Sequence, residues 1–294
     1  MADQNTSFTR KQIETKITLR DGSFGGKGNT VSLNGLPTKV KVDKQGGKDP
    51  CKATVEIAGL KYDTLDQLTT LAFAPLKAAK NLIQVSAGDE EHGMNVVFQG
   101  EITGASADFN QAPNIWLKLE CQTGFYALLE AKGPTTIKGN QPAATFIEQQ
   151  AKAMGYTFRN DGVTAQLKNS VFNGSPVEQA QAAANEVGAD FWIEDNVAVL
   201  SPRGEKKGKA FKLNKDTGLL GYPKLSNEGV QVEALFNAEF HIGGVVELKS
   251  IVPKASGNWY ITKVEHELTA NSPDGGPWKS SLTLFYNQSG PAKK

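Results

Sequence analysis

The sequence is poor in the residues on which most catalytic and metal sites depend. Its 294 residues include only three histidines and two cysteines, Cys51 and Cys121. The cysteines lie far apart and form no C-x-x-C motif, so the sequence indicates neither a disulfide framework nor a zinc site and favours buried reduced thiols. The scarcity of histidine limits every acid–base scheme, because histidine is the side chain that most readily titrates near neutral pH.

Long apolar runs and a strong net charge are also missing. No stretch reaches the roughly 18 consecutive apolar residues that a membrane helix needs, and the start, MADQNTSFTR, lacks the apolar core of a signal peptide. We therefore expect a protein without membrane insertion, made and kept in a cytoplasm. The formal net charge of +1 argues against a dedicated nucleic-acid binder. From Lys206 onward, however, 12 lysines outnumber eight acidic residues, a surplus of +4, so the last third is expected to face a different neighbour.

The composition is that of a globular protein, with 39% hydrophobic and 21% charged residues, and the length suggests two or three domains. From about residue 12 to residue 130, short alternating runs broken by Gly, Asn and Asp predict antiparallel strands. One helix interrupts them in LDQLTTLAFAPLKAA, before Pro75. Its apolar residues at helical spacing are Leu65, Leu68, Leu71 and Ala72. A barrel or sandwich with one inserted helix fits this pattern.

The pattern changes after Gly133. In ATFIEQQAKAMGY, Thr145 and Glu148 have the spacing of a capping box, which predicts a helix that begins there. In SPVEQAQAAANEVG, Ser175 and Glu178 repeat this box, Pro176 takes the first helical position, and the glycine at the end stops the helix. Two short helices are therefore predicted.

A hairpin follows in ADFWIEDNVAVLSP, with its turn near Asp195–Asn196. The polar run RGEKKGKAFKLNK then predicts a connection into a final β-rich part, whose strands are expected in VQVEALF, VVELKSIV, WYITKVEHEL and SSLTLFY. The predicted division is a first β domain at 1–132, an α+β module at 133–205, and a second β domain at 206–294.

A weak internal repeat favours a duplicated β domain. Ile and Thr begin a strand in both β parts, Asn and Pro follow in a turn, and Trp opens the next strand. The two sets are Ile102, Thr103, Asn110, Pro113 and Trp116, and Ile261, Thr262, Asn271, Pro273 and Trp278.

Few residues carry recognisable chemistry. DGSFGGKGNT resembles a phosphate-binding loop, but Gly22 and Gly26 are one residue too close and Gly28 replaces the required Ser or Thr, so a hairpin turn is predicted. The segment GDEEHG brings His92 together with acidic neighbours as a possible oxygen-rich metal site, although a solvated turn between two strands is favoured. The acidic neighbours are Asp89, Glu90 and Glu91. His241, near a turn in FHIGG, is interpreted as a surface or partly buried histidine.

Glu265 and Glu267 flank His266 in KVEHEL, and strand periodicity puts both carboxylates on one face and His266 on the other. Two carboxylates roughly 7 Å apart suit glycoside hydrolysis, but same-face glutamates on a solvated strand are the favoured interpretation. No G-x-S-x-G, H-E-x-x-H or Cys-His pattern is present. We therefore predict no catalytic, cofactor-binding or metal residues and no cofactor.

The last third carries the most identifying stretches, GLLGYPKLSNEGVQVEALFNAEFHIGGVVELKS and GNWYITKVEHELTANSPDGGPWKSSLTL. They resemble the baseplate hub proteins of contractile-tailed phages, the wider family of late-control-D-like tail proteins, and the base of type VI spike proteins. The resemblance continues upstream through FGGKGNTVSLNGL, TVEIAGL, LDQLTTL and NLIQVSAGDEEHGMNVVFQGEITGASADF, and through the two helix units. It covers nearly the whole chain.

The resemblance implies a mainly β fold, with two tail-tube-like β-barrel domains that flank the α+β module. It implies a non-enzymatic homotrimer in the virion tail baseplate, made in the host cytoplasm. Six similar barrels in a ring would join the sixfold tail tube protein to the threefold central spike protein. Other baseplate and tape-measure proteins are further expected partners, and DNA would pass only in transit through the lumen.

Such a ring needs large subunit contacts with aromatic anchors, although each candidate is equally suited to a barrel core. The candidates are Trp116, Trp259, Trp278, Phe236, Phe240 and Tyr222. A lysine run either faces the lumen or, as we favour, forms a solvated linker. It consists of Lys206, Lys207, Lys209, Lys212 and Lys215.

Two other classes of function stay open. A cell-wall-binding or wall-degrading tail protein would use the helix–strand module together with Glu265 and Glu267. A single-strand nucleic-acid binder would use exposed aromatic residues above a basic groove, which the net charge does not favour.

Overall fold

The computed structural model describes residues 9–20, 23–26, 28–47, 49–69, 81–109, 112, 115–130, 132–204, 206, 208–227 and 229–286. Strands dominate these residues, and most of the helical turns lie in the middle third. The predicted mainly β fold with an α+β insert is confirmed.

The first part is an antiparallel arrangement of strands with one helix. Its elements are β1 (Lys11–Thr18), β2 (Thr30–Leu33), β3 (Thr38–Gln45), β4 (Lys52–Ala58), α1 (Tyr62–Thr69), β5 (Leu82–Asp89), β6 (Gly93–Ala107) and β7 (Trp116–Gln122). β1 pairs antiparallel with β2, as the predicted hairpin requires, and Gly22 and Lys27 of the connecting segment lie outside the described residues. Leu65 and Leu68 of α1 are buried as expected. The predicted helical positions Leu71 and Ala72, and Pro75, lie outside the described residues.

A short helix, α2 (Phe125–Leu129), leads from β7 into the middle part. The elements of the middle part are β8 (Thr135–Thr136), β9 (Asn140–Pro142), α3 (Ala143–Met154), β10 (Thr157–Asn160), β11 (Gln166–Lys168), β12 (Val171–Phe172), α4 (Pro176–Glu186), β13 (Ala189–Glu194) and β14 (Val197–Pro202). The hairpin prediction is confirmed, since β13 and β14 pair around a turn at Asp195.

The two helices begin differently. The capping box of α4 is confirmed, with Ser175 accepting from the Glu178 N–H while the Glu178 carboxylate accepts from the Ser175 N–H. The capping box predicted for α3 is wrong. This helix begins at Ala143, two residues before Thr145, because the Ala143 N–H already has the Ala165 carbonyl as its partner.

The last part returns to strands, namely β15 (Phe211–Leu213), β16 (Leu219–Ser226), β17 (Gly229–Leu235), β18 (Val245–Leu248), β19 (Gly257–Ala270) and β20 (Trp278–Tyr286). The four predicted strand segments are confirmed. β15 lies inside the run that was expected to be a connection, and β16 was not predicted.

One sheet runs through both β parts. Its hydrogen-bonded order is β16-β17-β20-β19-β3-β4-β7-β6-β5-β1-β2, with β18 pairing β19 and β15. The two parts meet where β19 pairs with β3 in antiparallel register from Lys263↔Gln45 to Ala270↔Thr38. Strands more than 200 residues apart in sequence therefore share backbone hydrogen bonds.

Three clusters of buried apolar residues lie behind this arrangement. The first contains Val42, Val55 and Leu119 and also takes in Leu268 from the last part. The second fills the helical middle part around Phe146 and Phe191. The third lies under the last strands. Because the first cluster includes residues from all three parts, their packing is continuous.

Buried charged groups fix the middle part to the first. Lys44 of β3 is almost wholly buried, and its ammonium contacts Asp195 at 2.8 Å and Glu194 at 3.2 Å. Burial disfavours the ammonium, but the two carboxylates outweigh that effect and raise the pKa of Lys44 above its usual value. Asp195 also accepts the Gln99 N–H at 2.9 Å. A second buried contact joins the Tyr156 hydroxyl to Glu101 at 3.0 Å.

Lys206 corrects the prediction of a solvated lysine linker. It is buried, and its ammonium donates to the Pro202 carbonyl, the Ser201 hydroxyl and Asp190 at 2.7 to 3.1 Å. The aromatic rings of Trp192 and Tyr260 lie 5.6 Å from the same nitrogen. The acidic group and the two aromatic rings compensate the Lys206 ammonium for the water contacts that it loses on burial. Lys206 therefore links the middle part to the last part.

Candidate functional site

The β parts contain the same four-strand arrangement twice. In hydrogen-bonded order, the first is β3-β4-β7-β6 and the second is β16-β17-β20-β19. The pairing registers correspond as well. The pair Thr54↔Glu120 between β4 and β7 is equivalent to the pair Gln231↔Thr283 between β17 and β20. We call these two sets quartet I and quartet II.

A shared irregularity strengthens this correspondence. β6 shifts register against β7 between Ile102 and Gly104, and β19 shifts against β20 between Ile261 and Lys263. The threonine inside each bulge makes the same bond: Thr103 donates to the Glu120 carbonyl at 3.0 Å, and Thr262 donates to the Thr283 carbonyl at 3.1 Å. Glu120 and Thr283 are equivalent positions in the two registers.

The weak sequence repeat therefore marks a structural one. Trp116 opens β7 and Trp278 opens β20, as predicted, and both Ile–Thr pairs lie at the bulges. Asn110 and Pro113 lie outside the described residues. A repeated bulge with the same threonine bond is a specific feature, because bulges re-aim a strand at a fixed position.

The sheet has one apolar face and one polar face across both quartets. On β3 the valines Val40 and Val42 are buried while Lys39 and Lys41 are exposed, and the same alternation holds along β4, β7 and β17. In the described residues the polar face carries seven lysines and seven carboxylates. They are Lys39, Lys41, Lys52, Lys118, Lys224, Lys263, Lys279, Asp43, Asp108, Glu56, Glu120, Glu233, Glu265 and Glu267.

Ion pairs cross this face from strand to strand. Lys41 of β3 contacts Glu265 at 3.1 Å and Glu267 at 3.8 Å on β19. Lys279 of β20 contacts Glu267 at 3.6 Å and Glu233 of β17 at 3.1 Å. The hydrogen bond that the Lys41 ammonium donates to Glu265 is the main cause that raises the pKa of Lys41. The polar face is thus nearly neutral, with opposite charges adjacent.

The polar face is also hollowed. Three depressions lie along it, of about 430, 400 and 350 Å³. Lys39 lies 4.5 Å from the ring of Trp116 in the third of these, a cation–π contact that covers the half-buried indole. We call this surface, across both quartets, the polar concave face.

Glu265 and Glu267 do lie on one face, with His266 on the other, as predicted. Both carboxylates contact lysines on the polar face, Glu265 with Lys41 and Glu267 with Lys279.

His266 is fully buried at the junction of the two quartets. Its Nδ1 lies 2.9 Å from the Ser280 hydroxyl, and the Phe236 ring packs edge-on at 5.3 Å. Its Nε2 has no hydrogen-bond partner among the described residues. Burial, and secondly the charge of Lys44, lower the pKa of His266 to about 3, so the ring is neutral.

The GDEEHG segment is the hairpin turn between β5 and β6, in agreement with the favoured interpretation. Asp89 accepts the N–H groups of Glu91 and His92 at 3.0 and 2.8 Å, and His92 Nδ1 lies 2.9 Å away. Burial opposes ionisation, but the bonds from His92 and Glu91 prevail and hold the pKa of Asp89 at about 2. The described residues contain no group of three or more potential protein metal ligands.

The remaining candidates have separate locations. His241 is exposed beside Phe211 and lines a cleft of about 440 Å³ with Arg159 and Lys206. Lys209, Lys212 and Lys215 are exposed, and Lys207 lies outside the described residues. Cys51 and Cys121 are buried free thiols, and burial raises the pKa of Cys51 to about 12.

The predicted aromatic anchors divide between core and surface. Phe236 and Phe240 are buried, and Trp116, Trp259 and Trp278 are half-buried. Tyr222 alone among these six is well exposed, at 69%. It lies on β16, an edge strand that sequence reasoning missed, together with exposed Leu225. Exposed Ile251 lines the same small pocket as Tyr222.

A family model described as Baseplate hub gp41 matches residues 13–274. The chain belongs to this baseplate hub family. Membership places the protein in the tail baseplate of a virion. Among curated proteins, none matches the chain. In the described residues, no helix has the length and apolarity needed to span a membrane.

Solved tail proteins share the fold at low sequence identity. The 43 kDa tail protein of prophage MuSo2 from Shewanella oneidensis has a TM-score of 0.62 and 11% identity, over 94% of this chain and 96% of that one. The tail protein of Neisseria meningitidis MC58 gives 0.60 and 11%, over 92% and 96%. A Francisella PdpA–VgrG complex gives 0.56 and 7%, over 97% of this chain and 59% of that one.

Proposed function

We propose that this baseplate hub protein is a non-catalytic homotrimer that forms a ring with approximate sixfold symmetry at the end of a contractile tail. Each chain contributes quartet I and quartet II, so three chains present six similar units. The ring joins the sixfold tail tube protein on one side and the threefold central spike protein on the other. The repeated bulge at Thr103 and Thr262 is the observation that carries this proposal.

The duplication supports this role physically. A threefold object has three identical contact sites for a sixfold neighbour, whereas a trimer of duplicated units has six similar ones. The quartets are tied by the β3–β19 pairing and by a common apolar cluster, so their relative orientation is fixed within each chain. A fixed orientation suits a rigid adaptor.

The polar concave face is proposed to line the lumen of the ring. A basic lumen would hold DNA through its phosphates, in a salt-dependent manner. On this face Lys41 and Lys279 each form ion pairs with carboxylates. The surface therefore offers little net electrostatic attraction for DNA phosphates. DNA would contact the protein only in transit.

The three parts are proposed as domains at 1–132, 133–205 and 206–294. The middle one, held by Lys44 and Lys206, lies between the quartet-bearing parts in sequence and is a platform for other baseplate and tape-measure proteins. Synthesis in the host cytoplasm is part of the proposal.

Light scattering tests the oligomeric state. The purified full chain alone should have three times the 31.6 kDa mass of one chain, or it should reach three copies in the complex that forms after addition of the spike protein. Negative-stain images of that species should show a ring with six lobes. A monomer under both conditions, at the highest concentration that stays soluble, would contradict the proposal.

A further inference from the structure

The continuous sheet leaves two edges without a backbone partner in the described residues. One is the outer edge of β16, the first strand of quartet II. The other is on β6, the last strand of quartet I. β5 pairs with β6 only as far as Glu101, while β7 pairs with the opposite side up to Ala107. In the part of the chain that the structure describes, residues 103–107 therefore have a neighbouring strand on one side only. Unpaired strand edges are templates for pairing with another chain.

The junction inside the chain shows how two quartets join. There the last strand of quartet II, β19, pairs with the first strand of quartet I, β3. The pairing is antiparallel and includes Glu265↔Asp43, His266↔Val42 and Glu267↔Lys41. The equivalent of β19 in quartet I is β6, and the equivalent of β3 in quartet II is β16. These two edges therefore correspond to the two halves of a second junction of the same kind.

The repeat also fixes the register of that second junction. On β6, alignment at the bulge makes Ser106 equivalent to Glu265 and Ala107 to His266, and Asp108 then follows as the equivalent of Glu267. On β16, pairing with β17 makes three residues equivalent to Lys41, Val42 and Asp43. They are Lys224, Leu225 and Ser226, in that order.

We infer that β6 of one copy pairs antiparallel with β16 of the next copy, with Ser106 opposite Ser226 and Ala107 opposite Leu225. This deepens the proposed ring and rests on it, since it names the strands through which the copies join. The contact is head-to-tail, with different surfaces on the two partners, which is the kind of contact that closes rings.

The side chains at these positions fit the inferred register. Asp108 would face Lys224, just as Glu267 faces Lys41 inside the chain. Lys224 has no acidic partner among the described residues, in contrast to the paired lysines of the polar concave face. An opposite-charge pair across two strands stabilises the correct register and disfavours the others.

Apolar exposure points to the same contact. Val42 is 0% exposed at the junction inside the chain, whereas its equivalent Leu225 is 54% exposed. Pairing with β6 would cover Leu225 with the small Ala107, which already packs against the first apolar cluster. Tyr222, 69% exposed in the neighbouring bulge, would lie at the margin of the same contact.

Cysteine cross-linking of the full chain tests the register. Ser106→Cys and Ser226→Cys are made separately and the two proteins are mixed, then oxidised mildly or treated with a short bismaleimide. Directly opposite residues on antiparallel strands have Cβ atoms about 4.5–5.5 Å apart, within reach of the reagent. We expect a covalent dimer that requires both variants, and covalent trimers when one chain carries both changes. Cys51 and Cys121 are buried, so the parent chain should stay unlinked.

Ser32→Cys is the matched control, because Ser32 is an exposed serine on β2, the strand at the opposite end of the sheet order. Ser32→Cys mixed with Ser226→Cys should give at least tenfold less dimer. A trimer by light scattering without Ser106–Ser226 cross-linking would overturn the inferred junction and leave the proposed ring intact. A chain that stays monomeric and unlinked, with or without spike protein, would overturn both.

Charge reversal gives an independent readout that does not depend on cysteine. Lys224→Glu should weaken trimer formation at least tenfold in protein concentration, while the melting temperature of the monomer stays within a degree or two because Lys224 is exposed. Adding Asp108→Lys in the same chain should restore assembly. An unchanged trimer in Lys224→Glu, or no recovery in the double variant, would contradict the register.

Discussion

His266 allows a quantitative test of the junction between the quartets. It is 0% exposed and its pKa in the folded chain is about 3, against 6.5 for an ordinary histidine. The folded state keeps the ring neutral, whereas the unfolded chain takes up a proton below pH 6.5. Stability from this group is therefore fully present above pH 6.5 and is lost as the pH falls from 6.5 towards 3.

The size of the effect follows from proton linkage. Between pH 7.5 and pH 5.0, an unfolded-state pKa of 6.5 and a folded-state pKa of about 3 give a loss of about 2 kcal/mol from His266 alone. The variant His266→Asn keeps a polar group near the Ser280 hydroxyl but has no titrating ring. It should be less stable than the parent chain at pH 7.5, because ring atoms are removed from a packed site. It should then lose about 2 kcal/mol less than the parent chain on acidification.

Urea unfolding at pH 7.5, 6.5, 5.5 and 5.0, followed by tryptophan fluorescence at one fixed protein concentration, measures this difference. A fixed concentration matters because assembly adds to apparent stability. His241→Asn, which removes an exposed histidine, is the matched control variant. Equal losses for His266→Asn and the parent chain would refute a buried neutral His266, and with it the packing described at the junction.

Three further predictions follow from the contacts. Lys44→Ala leaves Glu194 and Asp195 without their buried cation and should lower the free energy of unfolding in urea by about 3–5 kcal/mol. Lys41→Ala, at an exposed ion pair, should lower it by less than about 1 kcal/mol. Similar losses for the two variants would contradict the buried ion pair. The double variant Glu265→Lys, Glu267→Lys makes the polar concave face basic, so it should bind duplex DNA in a filter assay, and the binding should weaken with added salt. The control double variant Glu90→Lys, Glu91→Lys, at the β5–β6 turn, should bind less DNA. Ser175→Ala removes the N-cap of α4 and should lower the free energy of unfolding by about 1 kcal/mol. Thr145→Ala, at a position that caps no helix, should lower it by less. The reverse order would contradict the observed helix starts.

Local periodicity was enough to predict most strands. The first half of β3 reads as alternating lysine and valine, and Val40 and Val42 are buried while Lys39 and Lys41 face outward. Lys44, further along the strand, is buried instead, which the alternation does not indicate for a lysine. β16 escaped prediction because Gly221 and Pro223 interrupt it, and because both faces of an edge strand are partly exposed. The sequence-based prediction misplaced the start of α3 because the first N–H of this helix donates to the Ala165 carbonyl. That partner lies more than 20 residues away in sequence, and no capping motif indicates it.

Long-range contacts lay beyond sequence reasoning. The β3–β19 pairing joins strands that no turn connects, and its register depends on a bulge whose sequence mark is a single Ile–Thr pair. Lys206 sits in a run of lysines that composition alone assigns to solvent, yet Asp190 and two aromatic rings bury it. The repeat was visible as a weak sequence pattern, but only the common threonine bond shows that equivalent backbone positions are involved.

The differences between the quartets matter as much as their likeness. If β16 had the same sequence and register as β3, either strand could pair with β19. The β19 of one copy could then pair with a strand of another copy, and the copies would assemble into open filaments rather than a closed ring. Where β3 has the single residue Val40, β16 has the three residues Gly221–Pro223, and the register is broken there. β19 pairs with β3 along eight residues, whereas β16 offers an unbroken match of only three, Lys224–Ser226. The long pairing therefore stays within the chain, and in the inferred ring the short stretch of β16 would pair with the neighbouring copy.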